Sequence, residues 1–429
     1  MEFKKSYELL ERAMRTIPFP WNQTFSKGVS QYVKGTSPVF AEYGKGPYLF
    51  DVDGNRYLDL VMGLMPVILG YVDVLSFERV LNLSFPNVHQ HPIYSLPHPN
   101  EVELSELLCE IIPCAEMVRL GKNGSDATSA AVRLARAITG RDKILCCGYH
   151  GWHDWYVGIT GRNKGVPEDV KKLTVPFEYN DFKGTELLIK THKPACVIME
   201  AINFAEPKEG YLQSIREWCD ENGSLLIFDE MITGFRFALG GAQEYFKIIP
   251  DLACFGKSMA NGWPISAVVG RKDLMKEFGN LHFSGTFFGE TYSMQAAIST
   301  INYIKQHEVI SHLWGTGEML KNGLEKLLSK HKVPKEVVCL EGYPVWTRLR
   351  APDSVVKSFI SQELIRRGIL WLETFNLSYS HKGKHINVVL EAFDEILGEL
   401  MKDPEAILHK IRGEMISART VRDRFAKKE

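Results

Sequence analysis

Residues 224–264 read SLLIFDEMITGFRFALGGAQEYFKIIPDLACFGKSMANGWP. One apolar run, Leu225-Leu226-Ile227-Phe228, ends in the acids Asp229 and Glu230. A second, Leu252-Ala253-Cys254-Phe255, ends in Gly256-Lys257-Ser258. Short apolar runs bounded by turn residues read as buried strands. Two such strands, each carrying a charge at its C-terminal end, mark a site at the edge of a parallel sheet.

The segments before this stretch alternate. Strands are expected at 116–120, 143–147 and 195–199, with helices at 127–139, near 184–191 and at 211–222. That rhythm implies an α/β domain with a largely parallel sheet. Residues 154–183 lack periodicity and are expected to form an active-site loop. Residues 5–16 and 100–113 read as amphipathic helices. The segment 28–60 reads as β-structure, with a hairpin turn at Asp53-Gly54-Asn55. Beyond about 300, helices dominate, with strand patterns near 336–349 and 369–372. The expected domains are 1–55 as the N-terminal segment of a small α+β domain, 56–304 as the large domain, and 305–429 as the remainder of the small one.

The bulk properties exclude several classes. A formal net charge of -1 offers no electrostatic footprint for nucleic acid or an anionic membrane. No apolar run reaches the roughly 18 residues of a membrane span, and MEFKKSYELLERAM lacks the apolar core of a signal peptide. The eight cysteines form no C-x-x-C pair and sit mostly in apolar runs, as thiols of a cytoplasmic protein do. No metal is expected. DVDGN places its glycine too early for a calcium loop, and His89, His91, His150 and His153 lack zinc-ligand spacing.

Four features carry chemistry. Gly124-Ser125 follows a strand and opens a helix, where free backbone N–H groups favour a phosphate; a plain helix cap by Ser125 is the bland reading. The only G-K-S is Gly256-Lys257-Ser258, and Asp251 stands where an ATP-binding loop needs its first glycine. Asp229, after four apolar residues, needs a cation or a protonated ring nitrogen; a capping role is the alternative. Lys257 is either its ion-pair partner or a Schiff-base former. Tyr149 ends a strand and is placed either to stack on a planar ring or to fill the core. A phosphate turn, a stacking ring, an acid for a pyridine nitrogen and a lysine for an aldehyde are together what pyridoxal phosphate needs.

The ordered motifs DVDGNRYLD (51–59), NGSDATSAAVRLAR (123–136), GYHGWHD (148–154), LLIFDEMITGFR (225–236), FGKSMANGWP (255–264) and FSGTFFGE (283–290) resemble the class III aminotransferases. Within them the chain looks most similar to the branch containing glutamate-1-semialdehyde 2,1-aminomutase. The resemblance implies the fold type I architecture of pyridoxal-phosphate enzymes, with a mostly parallel seven-stranded sheet flanked by helices and a smaller α+β domain. It implies catalysis by Lys257, as the Schiff-base lysine, and Asp229, at the pyridine nitrogen. Asn123, Gly124 and Ser125 would hold the phosphate, Tyr149 would stack on the ring, and Glu200 would lie near it. Thr286 would reach the phosphate of a neighbouring subunit, which implies a homodimer acting on small amines and carbonyls. Ser30, Trp152 and Glu373 are the substrate-side candidates.

The departures from the aminomutase pattern are on the substrate side. Residues 28–33 (GVSQYV) hold no arginine, Leu64 stands where that enzyme has a tryptophan, and residues 152–165 lack its glycine- and serine-rich loop. An aminotransferase is therefore expected. The alternatives are an aminomutase, an epimerase or decarboxylase, and a scaffold without activity.

Overall fold

The computed structural model describes residues 1–18, 29–71 and 91–416. Gly28, His89 and the end of the expected small domain lie outside them. The described strands are β1 Ala41–Lys45, β2 Tyr48–Asp51, β3 Arg56–Asp59, β4 Met117–Gly121, β5 Ile144–Cys147, β6 Thr174–Pro176 and β7 Cys196–Met199. They continue as β8 Leu225–Asp229, β9 Leu252–Phe255, β10 Ser266–Gly270, β11 Cys339–Tyr343, β12 Trp346–Arg350, β13 Ile369–Leu370 and β14 Thr374–Phe375.

The described chain divides into two units, one of residues 91–310 and one built from both ends, up to 71 and from 311. The first holds a seven-stranded sheet in the order β4-β10-β9-β8-β7-β5-β6. Strands β9, β8, β7, β5 and β6 run parallel, while β10 is antiparallel to both its neighbours. Strands β5, β7, β8 and β9 are almost wholly buried, as their unbroken apolar sequence requires. The helix Gly124–Thr139 lies close on this sheet because its inward positions are small. Ala127, Ala130, Ala131 and Ala135 share one core cluster with Ile144, Ile198, Ile227, Cys254 and Val268.

Two strands of the sheet were not visible as periodic segments. β6 has three residues and ends in Pro176, at the sheet edge where proline is tolerated. It lies inside 154–183, which is not one open loop: the short helices Asp154–Val157 and Glu168–Lys171 precede β6. β10 begins two residues after Pro264 and is fully buried between β4 and β9.

The register of β8 and β9 is fixed by Asp251, just before β9. Its Oδ2 accepts from the Leu226 backbone N–H and from Arg216 Nη1, both at 2.8 Å, and its Oδ1 accepts from Arg271 Nη1 at 3.0 Å. Asp229 is thereby set opposite Cys254, three residues before Lys257.

The other unit contains the sheet β1-β2-β3-β13 and the antiparallel sheet β11-β12-β14. The expected hairpin at 53–55 joins β2 to β3. Asp51 Oδ1 accepts from the backbone of Asp53 and Asn55, and Oδ2 from the Tyr57 hydroxyl at 2.8 Å. Asp53 accepts from the N–H groups of Lys5 and Ser6 in the first helix, Lys4–Ala13. The N-terminal segment extends past the expected boundary at 55, because β3 pairs with β2 on one side and with β13 on the other.

Candidate active site

Asp229 is the last residue of β8 and only 3% exposed. Its Oδ1 accepts from the Met231 N–H at 3.0 Å, and its Oδ2 lies 2.7 Å from His150 Nδ1. Glu230, the second acid of the pair, turns the other way. It is buried, and it accepts from the N–H groups of Ala242 at 2.7 Å and Gln243 at 3.0 Å and from the Thr233 hydroxyl. Burial holds its carboxyl above the usual range against those donors. Glu230 is therefore a structural anchor for the helix Ala242–Phe246.

Lys257 opens a short turn, Lys257–Ala260, after β9. It is half-buried in a run of fully buried neighbours, and its φ is +39°. A left-handed lysine costs of order 1 kcal/mol or more, and such residues concentrate at functional sites. Gly256 before it is extended. A Cβ there would lie 2.8 Å from the Met231 sulfur, and one on Gly124 would lie 3.1 Å from the same atom. Met231 is thus the point where the turn carrying Lys257, the end of the Asp229 strand and the Gly124 turn converge.

Gly124 and Ser125 form the first turn of the helix Gly124–Thr139, whose leading N–H groups have no acceptor within the helix. Asp126 Oδ2 instead accepts from the N–H of Asn123 at 2.7 Å and of Lys122 at 3.2 Å, which fixes the turn. Ser266, on β10, donates its hydroxyl to the Asn123 carbonyl at 2.8 Å. Ser125 Oγ accepts from the Trp152 N–H at 3.2 Å. Gly151 packs so closely there, with φ +104°, that a Cβ would fall 2.2 Å from Ser125 Oγ.

Tyr149 follows β5 and is 37% exposed, with its ring against the edge of Tyr156 at 5.6 Å. Its N–H donates to Glu200 Oε2 at 3.0 Å. Glu200 thereby holds the peptide of the Tyr149 segment, and Gly148 gives it room: a Cβ there would lie 2.6 Å from Glu200 Oε2. The β5, β7, β8 and β9 ends therefore bring Tyr149, Glu200, Asp229 and Lys257 to one edge, beside the Gly124 turn.

Thr286 is exposed on the turn Gly285–Phe288. Glu290, just beyond, caps the helix Thr291–Gln306 and pairs with Lys122 at 2.6 Å. Burial pushes the Glu290 carboxyl up, but Lys122 and the hydrogen bonds from Ser293 together bring it below its usual range. Trp152 is 70% exposed.

Ser30 and Glu373 belong to the other unit. Ser30 Oγ is buried without a hydrogen-bond partner. Glu373, with φ +60°, has both oxygens engaged, by Arg348 at 3.0 Å and Lys357 at 2.9 Å. A substrate group would have to displace one of those cations. Leu64 lies in a run of four left-handed residues, Met62 to Met65, three of them not glycine. Asp59 holds this run through the N–H groups of Val61 and Met62 and the Tyr71 hydroxyl.

The sequence reading missed three members of the site: Met231, Ser266 and His150, the last weighed there only as a metal ligand. A histidine directly after a strand-end tyrosine was the one available signal.

The family model for aminotransferase class III matches residues 30–343. The chain belongs to the class III aminotransferases. Within that family, the 3-aminobutyryl-CoA aminotransferase of Cloacimonas acidaminovorans is 33% identical over 94% of this chain and 99% of its own. The glutamate-1-semialdehyde 2,1-aminomutase of Methanosphaera stadtmanae is 37% identical over 94% of this chain and its whole length. Among solved structures, the Sphingopyxis FumI protein in its PLP internal aldimine form superposes with a TM-score of 0.83 at 27% identity. That match covers 93% of this class III member and 97% of FumI. The fold type I architecture expected from the motifs is therefore the observed one.

Proposed function

We propose that this class III member is a pyridoxal-phosphate-dependent aminotransferase that moves an amino group between an amine donor and a small aldehyde or ketone. The observation that carries the reading is the convergence of the Gly124 turn, Asp229 and Lys257 around Met231. The donor set fits the cofactor. Helix N-terminal amides and the Ser125 hydroxyl suit a phosphate dianion, a buried carboxylate suits a pyridine nitrogen, and a half-buried lysine suits an aldehyde carbon. Bound pyridoxal phosphate supplies a ring that accepts electrons as the substrate Cα–H bond breaks.

The residues of the chain do the remainder. Lys257 would hold the cofactor through its aldehyde carbon. Its amine would serve as the general base and acid that moves the proton of the substrate Cα. Asp229 would face the ring nitrogen and favour its protonated form, Tyr149 would cover a ring face, and Asn123, Gly124 and Ser125 would hold the phosphate. Glu200 sets the height of Tyr149. Thr286, exposed in the single chain, reaches the phosphate of a second copy, making the working unit a homodimer. The eight unpaired thiols suit the cytoplasm. Among the described residues no helix is long and apolar enough to cross a membrane.

The aminomutase reading is favoured by the 37% identical relative. Against it stand Leu64 and the missing arginine in 28–33. The deciding test mixes holoenzyme with candidate amines and follows the loss of the Lys257-bound cofactor absorbance. Conversion to the pyridoxamine form by a separate donor is expected. Turnover of an amino-aldehyde with no donor added would favour the aminomutase.

A further inference from the structure

Residues 281–290 join the short turn Lys276–Asn280 to the helix Thr291–Gln306 without helix or strand of their own. Thr286 and Phe287 lie at the tip of this connection, and Phe287 is 62% exposed. The backbone hydrogen bonds around the tip are local: Phe288 N–H to the Gly285 carbonyl at 3.0 Å, and Glu290 N–H to the Phe287 carbonyl at 3.2 Å. These bonds shape the turn but do not fix where it points. Its two ends are held from outside, by three cations that flank the Gly124 turn. At the entrance, Arg133 Nη1, on the helix Gly124–Thr139, donates to the His282 carbonyl at 2.9 Å. Arg119 Nη2, on β4, donates to the Phe283 carbonyl at 3.0 Å. The Phe283 and Phe288 rings, 4.9 Å apart, close the neck. At the exit, Lys122 Nζ pairs with Glu290 Oε2 at 2.6 Å.

The three ties differ in strength. Arg119 and Arg133 are exposed, where water competes for their bonds. The side chains of Lys122 and Glu290 are only 12% and 14% exposed. Salt screens such a pair little, and losing one member leaves the other charge buried. Neither end of the pair is free to slide. The Lys122 N–H donates to Asp126 Oδ2, as does that of Asn123. Glu290 Oε1 accepts from the N–H groups of Tyr292 at 2.7 Å and Ser293 at 3.0 Å. One side chain thus bolts the Gly124 turn to the start of the helix just past Thr286.

We propose that Lys122 is a positioning residue for the neighbouring copy's site: acting through Glu290, it fixes the turn that presents Thr286 to that copy's cofactor phosphate. The proposal rests on the reading of Thr286 as a residue lent across a homodimer. A hydroxyl serves an anion only within about 3 Å, so a turn free to pivot loses the contact. Lys122 need not touch a phosphate itself, because its charge is already met by Glu290. A chain's own Gly124 turn and the group it gives its neighbour are therefore held as one piece.

Hybrid dimers, purified through two different tags, test this in the holoenzyme. One copy carries Lys257→Ala, so the Lys257-bound absorbance reports only the other copy's site. Lys122→Met on the silent copy is expected to raise the cofactor Kd at the reporting site about tenfold, the worth of one hydrogen bond to a charged group. Lys122→Arg, which keeps the charge, restores it. Glu290→Gln on the silent copy keeps an oxygen for the helix cap and is expected to act as Lys122→Met does, so a folding defect of one variant does not decide the matter. A Kd that rises only when Lys122→Met sits on the reporting copy, or in neither arrangement, overturns the proposal. Thr286→Ala on the silent copy controls for the underlying reading. If it leaves the Kd unchanged, the composite site is wrong and the proposal falls with it. If Thr286→Ala raises the Kd and Lys122→Met does not, only the role of Lys122 is lost.

Discussion

Lys257 and Asp229 stand in different kinds of tension, and each makes its own prediction. Lys257 is strained in its backbone. Lys257→Ala is expected to remain folded, lose the covalent cofactor absorbance and lower kcat by ~10³-fold or more, within the range of general acid–base contributions. Lys257→Gly should be equally inactive yet about 1 kcal/mol more stable than the alanine variant, because glycine accepts positive φ freely. Urea denaturation of the two variants is the check. Asp229 is tied to a buried partner. Asp229→Asn removes the carboxylate that lies 2.7 Å from the buried His150 ring, and breaking a buried pair costs about 3–5 kcal/mol. Urea denaturation checks this too: a midpoint unchanged from wild type would show that the buried pair adds nothing to stability. Both residues were legible in the sequence, since a charge ending an apolar run is rare enough to ask for a partner. His150 was not, because its partner Asp229 lies on a different strand, and the two rings that confine it become neighbours only through the fold. The partners of Glu373 were hidden for the same reason: Arg348 and Lys357 sit on separate elements.

At the level of elements, the site depends on how closely turns approach one another. The Gly256 and Gly124 turns share the Met231 sulfur. Gly256→Ala is expected to cost about 1–3 kcal/mol by overpacking and to shift Lys257. Combined with Met231→Ala, it should cost less than the two single changes summed, since the contact is then removed. A double-mutant cycle on the melting temperature reads this directly. The Lys122–Glu290 pair ties the Gly124 turn to the helix that follows Thr286. Its carboxyl is held low, so its contribution is present above the ordinary glutamate value near 4.3 and fades as pH falls through the lower, folded value. Glu290→Gln is expected to remove that dependence and weaken cofactor retention on dialysis. The order of strands and helices was readable because long periodic segments announce themselves. β6 and β10 did not, one being too short and the other having no alternation to display.

At the scale of the whole molecule, the unit built from both chain ends has its own acid weakness. His381 is fully buried, and burial, aided by His385, pushes its ring down to about 3. Between that value and the ordinary one near 6.5 the unfolded chain binds a proton that the folded chain refuses. Stability therefore falls as pH drops below about 6.5, at up to ~1.4 kcal/mol per unit. His381→Gln should flatten that slope in denaturation measured from pH 7 to 5. The sheet β1-β2-β3-β13 has a different consequence, one that concerns the chain while it is being made. Strand β3 is complete within the first sixty residues, but its partner Ile369–Leu370 emerges roughly 300 residues later. At about 5–20 residues per second, that edge waits some tens of seconds on the ribosome, while the seven-stranded sheet is synthesised and free to fold. A strand made early is among the last to be paired, and a nascent chain stalled short of residue 369 carries an open strand edge for any chaperone to hold.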